Sequence, residues 1–112
     1  MGLDITISRR RPIVCSECGT INGYEEVDEV DSGGRAWYDV LESIGYYVPY
    51  ELRTKCNDYY DWYGEDMKLT DDQIEKVVQF LEKESVWNGS IALELIAMAK
   101  LKGHEVVINA DW

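Results

Sequence analysis

The sequence predicts a small single α+β domain over residues 1–112, with a short antiparallel or mixed sheet, two to three helices and a zinc knuckle. Three observations lead to this prediction. Apolar and polar residues alternate near the N-terminus, apolar residues recur at helical spacing in three later segments, and Cys15 and Cys18 stand in a Cys-x-x-Cys pattern. A chain of 112 residues that is 46% hydrophobic can bury one modest core, to which a bound metal would contribute.

Two segments are predicted as the principal strands. Residues 3–7 alternate apolar and polar side chains, which is typical of a half-buried strand, and residues 9–12 are expected to end it. Residues 13–21 are expected to form a small hairpin around the two cysteines. The short apolar run at residues 106–108 predicts a central strand that pairs with the first one.

Three segments have the periodicity of amphipathic helices. In residues 36–44 the apolar side chains are three and four positions apart. Thr70 and Gln73 have the form of a capping box, so a second helix begins there. Ser90 is expected to be the N-cap of a third helix that ends at Gly103. The predicted apolar face of this third helix consists of Ile91, Leu95, Met98 and Leu101, and it is widened by Ile96 and Ala99.

The segment Cys15–Gly19 carries the clearest chemical signal. Two thiols two residues apart, followed by a glycine that permits a tight turn, form half of a tetrahedral zinc site. A structural zinc ion takes four protein ligands, and the chain offers one further cysteine and one histidine. We therefore predict a Zn²⁺ ion bound by Cys15, Cys18, Cys56 and His104.

Other readings of the same residues stay open. Asp58, Asp61, Asp31 or water could complete the zinc shell, because carboxylate oxygens also bind zinc. Cys56 could instead be a small buried apolar residue. A redox role for the cysteine pair is disfavoured, because no βαβ pattern follows it.

The charge balance predicts the kind of partner. The chain has 22 acidic and 11 basic residues, a net charge of -11, and such a surface repels nucleic acid phosphates. We expect no direct binding of nucleic acid and a basic protein as partner; the basic run at residues 9–11 can pair with neighbouring carboxylates. The predicted contact residues are Glu25, Glu26, Asp28, Glu29, Asp31, Asp58, Asp61, Trp62, Glu65 and Asp66. Trp62 has a second reading, as a residue that covers the core.

The compartment is predicted to be the cytoplasm of an infected or lysogenic bacterial host. No apolar run is long enough to span a bilayer, and no secretory signal is recognised. An odd count of three cysteines fits a reducing compartment and metal binding better than disulfides. We expect no membrane association, and a monomer rather than an oligomer.

The sequence lacks the usual signatures of an enzyme. It has no His-Glu-x-x-His helix and no Gly-x-Ser-x-Gly turn. Two thiolates also lower the Lewis acidity of a zinc ion, which favours a structural role. The alternative is a small metal-dependent hydrolase with an open zinc position and a carboxylate base. A zinc-ribbon nucleic acid binder is a third reading, which the net charge disfavours.

Five segments together resemble a set of small acidic phage and prophage proteins, over most of the first seventy residues. These segments are Met1–Ile5, Cys15–Cys18, Asp31–Gly34, Tyr46–Tyr50 and Trp62–Met67. Within that set, the sequence is similar to zinc-binding anti-CRISPR proteins that inhibit type II-A Cas9. The resemblance implies a non-enzymatic inhibitor that binds Cas9 directly.

Overall fold

Four strands and three helices make up the described part of the chain, which in this computed structural model is residues 3–47, 62 and 64–111. The strands are β1 (Asp4–Val14), β2 (Ile21–Gly33), β3 (Met67–Lys68) and β4 (Glu105–Asp111). The helices are α1 (Trp37–Ser43), α2 (Asp71–Lys83) and α3 (Gly89–Lys102). None of these helices is both long and apolar enough to cross a bilayer.

The strands form one antiparallel sheet in the order β2–β1–β4–β3. Ile7 on β1 lies opposite Val30 on one side and Ile108 on the other, and all three side chains are buried. The C-terminal strand therefore pairs with the first strand, as predicted from the two apolar patterns. The α+β class with an antiparallel sheet is confirmed; the zinc knuckle stays a prediction.

The helices cover the sheet face that carries Ile5 and Ile7. Helix α3 packs against β1, β2 and β4, α2 packs against α3, and α1 packs against α2. Trp37 and Tyr46 are the largest fully buried side chains of the resulting core. The predicted helices over residues 36–44 and from Thr70 are confirmed, and the Thr70–Gln73 capping box is present with both of its hydrogen bonds.

The predicted start of α3 is wrong. The helix begins at Gly89, with Asn88 as N-cap in the left-handed conformation at a φ of 57°, and Ser90 lies within the first turn. The Asn88 side-chain amide donates a hydrogen bond of 2.8 Å to the Asp31 carbonyl oxygen. This bond ties the start of α3 to β2, a tertiary contact that local capping preferences do not contain.

The predicted apolar face of α3 is half right, because Leu95, Ile96 and Ala99 are buried as predicted. Ile91, Met98 and Leu101 are exposed, and Leu101 reaches 79% exposure. The residues of α3 that are buried are Gly89, Ala92, Leu95, Ile96 and Ala99. The helix is apolar around most of its circumference, so periodicity alone does not select a face. Packing against the sheet and against α2 therefore decides which side of α3 is buried.

The hairpin of β1 and β2 is much longer than predicted. Residues 9–12 were expected to end the first strand, yet β1 continues to Val14. Pro12 is tolerated because β4 no longer pairs with β1 beyond Arg10, which leaves one side of the strand open. The acidic segment of residues 25–31 lies within β2, which is the edge strand beside β1.

Candidate metal and partner-binding site

The far end of the β1–β2 hairpin forms a two-stranded arm, defined here as residues 11–25. β4 pairs with β1 from Asp4 to Arg10, so the arm lies beyond the rest of the sheet. Two register shifts bend the pairing, between Arg9 and Arg10 and between Ile13 and Val14. A ribbon of two strands is marginally stable by itself, so the arm depends on contacts at its base and at its tip.

The two cysteines lie at the tip of the arm. The turn is closed by a hydrogen bond of 2.9 Å from the Gly19 amide to the Cys15 carbonyl oxygen. A second bond of 2.8 Å runs from the Cys15 amide to the Thr20 carbonyl oxygen. Gly19 has a φ of 73°, a conformation that favours glycine and explains its place after the second cysteine. The predicted tight turn is present.

The two thiols are close enough to interact. The Cys18 Sγ lies 2.9 Å from the Thr20 Oγ1, and Cys18 is exposed. Hydrogen bonds from the Thr20 side chain, then from the Thr20 backbone and then from the Cys15 thiol lower the pKa of Cys18 to about 7. A substantial fraction of this thiol is therefore ionised at neutral pH, which is the form that binds metals.

His104 lies directly before β4, as predicted, but its neighbour is an arginine. The Arg9 Nη1 lies 3.3 Å from the His104 Nδ1. Arg9 is 8% exposed, and within the described part of the chain its Nε has no hydrogen-bond partner. Loss of hydration, followed by the charges of Arg9, Lys102 and Arg11, lowers the pKa of His104 below its usual 6.5. The histidine is thus held neutral, and its Nδ1 accepts from Arg9.

The proposed four-ligand set is not assembled by the residues that can be described. Over residues 3–47, 62 and 64–111, no three side chains of His, Cys, Asp or Glu come together as a metal group. Cys15 and Cys18 meet each other, and His104 stands apart with Arg9. Cys56 lies outside the described residues, as do Asp58 and Asp61. The knuckle by itself offers two thiol ligands.

The basic run at residues 9–11 faces acids across the hairpin. The register sets Arg9 opposite Asp28, Arg10 opposite Glu26 and Arg11 opposite Glu25. Arg11 forms an ion pair with Glu25, and the Arg10 Nη2 lies 2.5 Å from the Asp66 Oδ2. These arginines are therefore engaged within the chain. The matching runs Arg-Arg-Arg and Glu-Glu-x-Asp were the sequence signal for this pairing.

Three carboxylates on β2 share the sheet face that points away from the core. They are Glu26, Glu29 and Asp31, and their register partners on β1 are Arg10, Ser8 and Thr6. All three are exposed, and the Asp31 Oδ1 accepts a hydrogen bond of 3.0 Å from the Thr6 hydroxyl. Asp28 is also exposed, on the other face. Among the described strands β2 is at the edge of the sheet, so this acidic row borders an edge that no described strand covers.

The second predicted contact region is only partly described. Asp66 is held in place by Arg10 and by the Asn109 side-chain amide at 2.9 Å, and these hydrogen bonds lower its pKa, that from Asn109 most. Glu65 is exposed, and its carbonyl oxygen accepts from the Tyr46 hydroxyl at 2.6 Å. Trp62 is partly buried and packs against the core, which was the second reading of this residue.

The arm also carries exposed apolar residues, which the net charge of the chain does not reveal. Ile13, Val14, Ile21 and Tyr24 are each at least 42% exposed. Between Pro12 and Gly23 the one charged residue is Glu17. The arm is therefore a nearly neutral, apolar surface on a strongly acidic protein.

Comparison of the chain with protein-family models, with curated protein sequences and with solved structures finds no match. The resemblance to phage and anti-CRISPR proteins thus rests on the five sequence segments alone, and the residues of the site are the basis for its chemistry.

Proposed function

We propose that this protein is a non-enzymatic, phage-type inhibitor that binds a basic nucleic-acid-handling protein and blocks its engagement with DNA. Type II-A Cas9 is the first partner to test, on the strength of the sequence resemblance. The binding takes place in the cytoplasm of an infected or lysogenic bacterial host. A zinc ion held by the Cys15 and Cys18 thiolates has a structural role at the tip of the arm.

The observation that carries the proposal is the row of carboxylates on the exposed face of β2. Glu26, Glu29 and Asp31 stand side by side at an open sheet edge. Positive surfaces that hold DNA in such enzymes are complementary to a row of this kind, and charge complementarity of this type speeds and orients association. The same charges disfavour edge-to-edge pairing of two copies, so the edge stays available.

The state of the arginines supports a protein partner over nucleic acid. Arg10 and Arg11 are paired with Asp66 and Glu25, and Arg9 is buried. A chain with a net charge of -11 and its one basic run engaged in this way offers little to a phosphate backbone.

The test is binding of the purified protein to Cas9, and to an unrelated basic nucleic-acid enzyme, at low and at high salt. We expect a complex with Cas9 that weakens as salt rises, because exposed charges are screened. The double variant Glu26→Lys with Glu29→Lys should weaken binding by roughly tenfold or more. Inhibition of DNA cleavage by Cas9 should fall in parallel.

A matched control is available on α2. Glu75→Lys with Glu82→Lys makes the same change in net charge at two exposed positions of the helical layer. This control should bind nearly as well as the unchanged protein. Equal losses of affinity in both double variants would show that net charge, and not the acidic row, determines binding. Absence of any complex with Cas9 at low salt would reject Cas9 as the partner.

A further inference from the structure

The knuckle at the tip of the arm is half of a metal site that faces outward. Cys15 and Cys18 lie in one turn that is closed by two backbone hydrogen bonds, and the Cys18 Sγ lies 2.9 Å from the Thr20 Oγ1. Both sulfurs are thus available from one turn, as a zinc ion requires of each Cys-x-x-Cys pair. Two further ligands are needed to complete a tetrahedron.

His104 is too far along the strand to be one of them. It directly precedes Glu105, whose Cα pairs with that of Arg10. Cys15 follows Arg10 by five residues and lies at the tip of the arm, whereas His104 contacts Arg9 at its base. The described residues near the knuckle supply no third ligand either.

The surface around the knuckle suits a close approach by a second copy. The chain as a whole is strongly acidic, and two copies repel each other over most of their area. Residues 12–23 are the exception, since Glu17 is their one charge. Val14 and Ile21 lie opposite each other beside the knuckle and are 56% and 55% exposed. Contact between two arm tips would remove these apolar side chains from water.

We propose that two copies of this protein share one zinc ion, tip to tip, through the four thiolates of their Cys15 and Cys18 pairs. Four thiols lose their protons to solvent as the zinc–sulfur bonds form, and no oxidation is involved. The arrangement is a symmetric dimer with the same residues on both sides. It gives the structural zinc of the proposed function a specific ligand set, and it replaces the expected monomer whenever zinc is bound.

The test is a zinc titration of the reduced, metal-free full-length chain, followed by thiolate–metal absorption and by molecular mass in solution. We expect saturation at about 0.5 zinc per chain, the ratio for a shared four-cysteine site. The mass should rise from 12.9 kDa to about twice that value in the same range, and a chelator should reverse both changes.

Variants separate this site from an intrachain one. Cys18→Ser should lose zinc binding and stay monomeric, while Ser16→Ala, an exposed neighbour in the same turn, should behave as the unchanged protein. Far-ultraviolet circular dichroism checks that both variants fold. Cys56→Ser and His104→Ala should keep the ratio and the dimer, because neither residue is a ligand in this proposal.

Three outcomes overturn the proposal. One zinc ion per chain in a monomer would show that the knuckle belongs to an intrachain site. Absence of zinc binding would show that the two cysteines do not form a metal site. A dimer that persists after addition of the chelator would show that the copies associate through another interface. The measurement contains no partner protein. If the zinc titration rejects the shared site, binding of the acidic row to Cas9 can still be tested separately. If the protein does not bind Cas9, the expected ratio of zinc to chain is unchanged.

Discussion

Arg9 and His104 lie side by side at the base of the arm, with the Arg9 Nη1 3.3 Å from the His104 Nδ1. A permanently charged guanidinium can donate to this nitrogen only while the imidazole is neutral. Arg11 and Lys102 add positive charge to the same surroundings. The contact of His104 with Arg9 on β1 thus favours the neutral imidazole.

The first prediction concerns pH. The folded pKa of His104 is lowered, chiefly by loss of hydration and then by Arg9, Lys102 and Arg11, so the unfolded chain takes up a proton at higher pH than the folded one. The free energy of unfolding should therefore fall as pH decreases through 6.5 and towards the folded pKa. Denaturant unfolding of the unchanged protein and of His104→Gln, between about pH 8 and about pH 5, measures the difference.

Glutamine does not titrate and can still accept a hydrogen bond from Arg9, so His104→Gln should show a weaker loss of stability over this range. Identical slopes in the two proteins, or an imidazole pKa at or above 6.5 by NMR, would contradict the assignment.

The second prediction concerns Ser32, which is 1% exposed. Its hydroxyl accepts from the Trp37 indole at 3.0 Å and donates to the Trp87 carbonyl oxygen at 2.6 Å. Ser32→Ala should lower the free energy of unfolding by about 1–3 kcal/mol, because the buried indole N–H loses its acceptor. Ser43→Ala is the control, since that exposed hydroxyl bonds only within α1 and its removal should cost much less.

The third prediction concerns Gly33 at the end of β2. A Cβ at this position would overlap the Leu3 carbonyl oxygen, which is itself held by the Gly34 amide at 3.3 Å. Gly33→Ala should destabilise the protein by about 1–3 kcal/mol in thermal or denaturant unfolding, because backbone has to move.

Gly89 provides the matched comparison for that substitution. A Cβ there would meet the Val86 and Leu81 side chains at 3.3 and 3.9 Å, contacts that small rotations relieve. The position lies in the first turn of α3, where alanine is favoured over glycine. Gly89→Ala should be neutral or slightly stabilising, and an equal loss in both variants would disprove the steric argument.

The fourth prediction concerns the buried phenol of Tyr46. Its hydroxyl donates to the Glu65 carbonyl oxygen at 2.6 Å and accepts from the Ala110 amide at 2.7 Å. Tyr46→Phe should cost about 1–3 kcal/mol of unfolding free energy, since buried backbone groups lose a partner. Tyr24→Phe, at an exposed site on the arm, should change little.

The same residue predicts behaviour at alkaline pH. Burial raises the pKa of Tyr46 above its usual 10.0, so the folded state keeps the phenol proton that the unfolded chain loses. This contribution to stability is complete below pH 10.0 and decreases as pH rises towards the folded pKa. Tyr46→Phe should remove that part of the alkaline decline, and an unchanged profile would count against it.

Local patterns in the sequence determined the helices at residues 36–44 and from Thr70, and the apolar strands at both ends of the chain. Their period and capping residues are short-range properties that can be read without knowledge of the tertiary contacts. The strand pair of β1 and β4 followed from the same patterns, because two apolar strands in a short chain have few other partners. The glycine that follows Cys18 likewise predicted the tight turn around the two cysteines.

Tertiary structure alone decided which of the apolar residues of α3 are buried, how far β1 extends and which residue His104 contacts. The helix is apolar on most sides, so its packing against the sheet and α2 selects the buried side. The arginines continue β1 because acids on β2 face them across the ladder. These choices depend on contacts between residues up to about a hundred positions apart, such as Arg9 with His104. No local sequence pattern predicts these contacts, because each contact stabilises the fold only when its distant partner is in place.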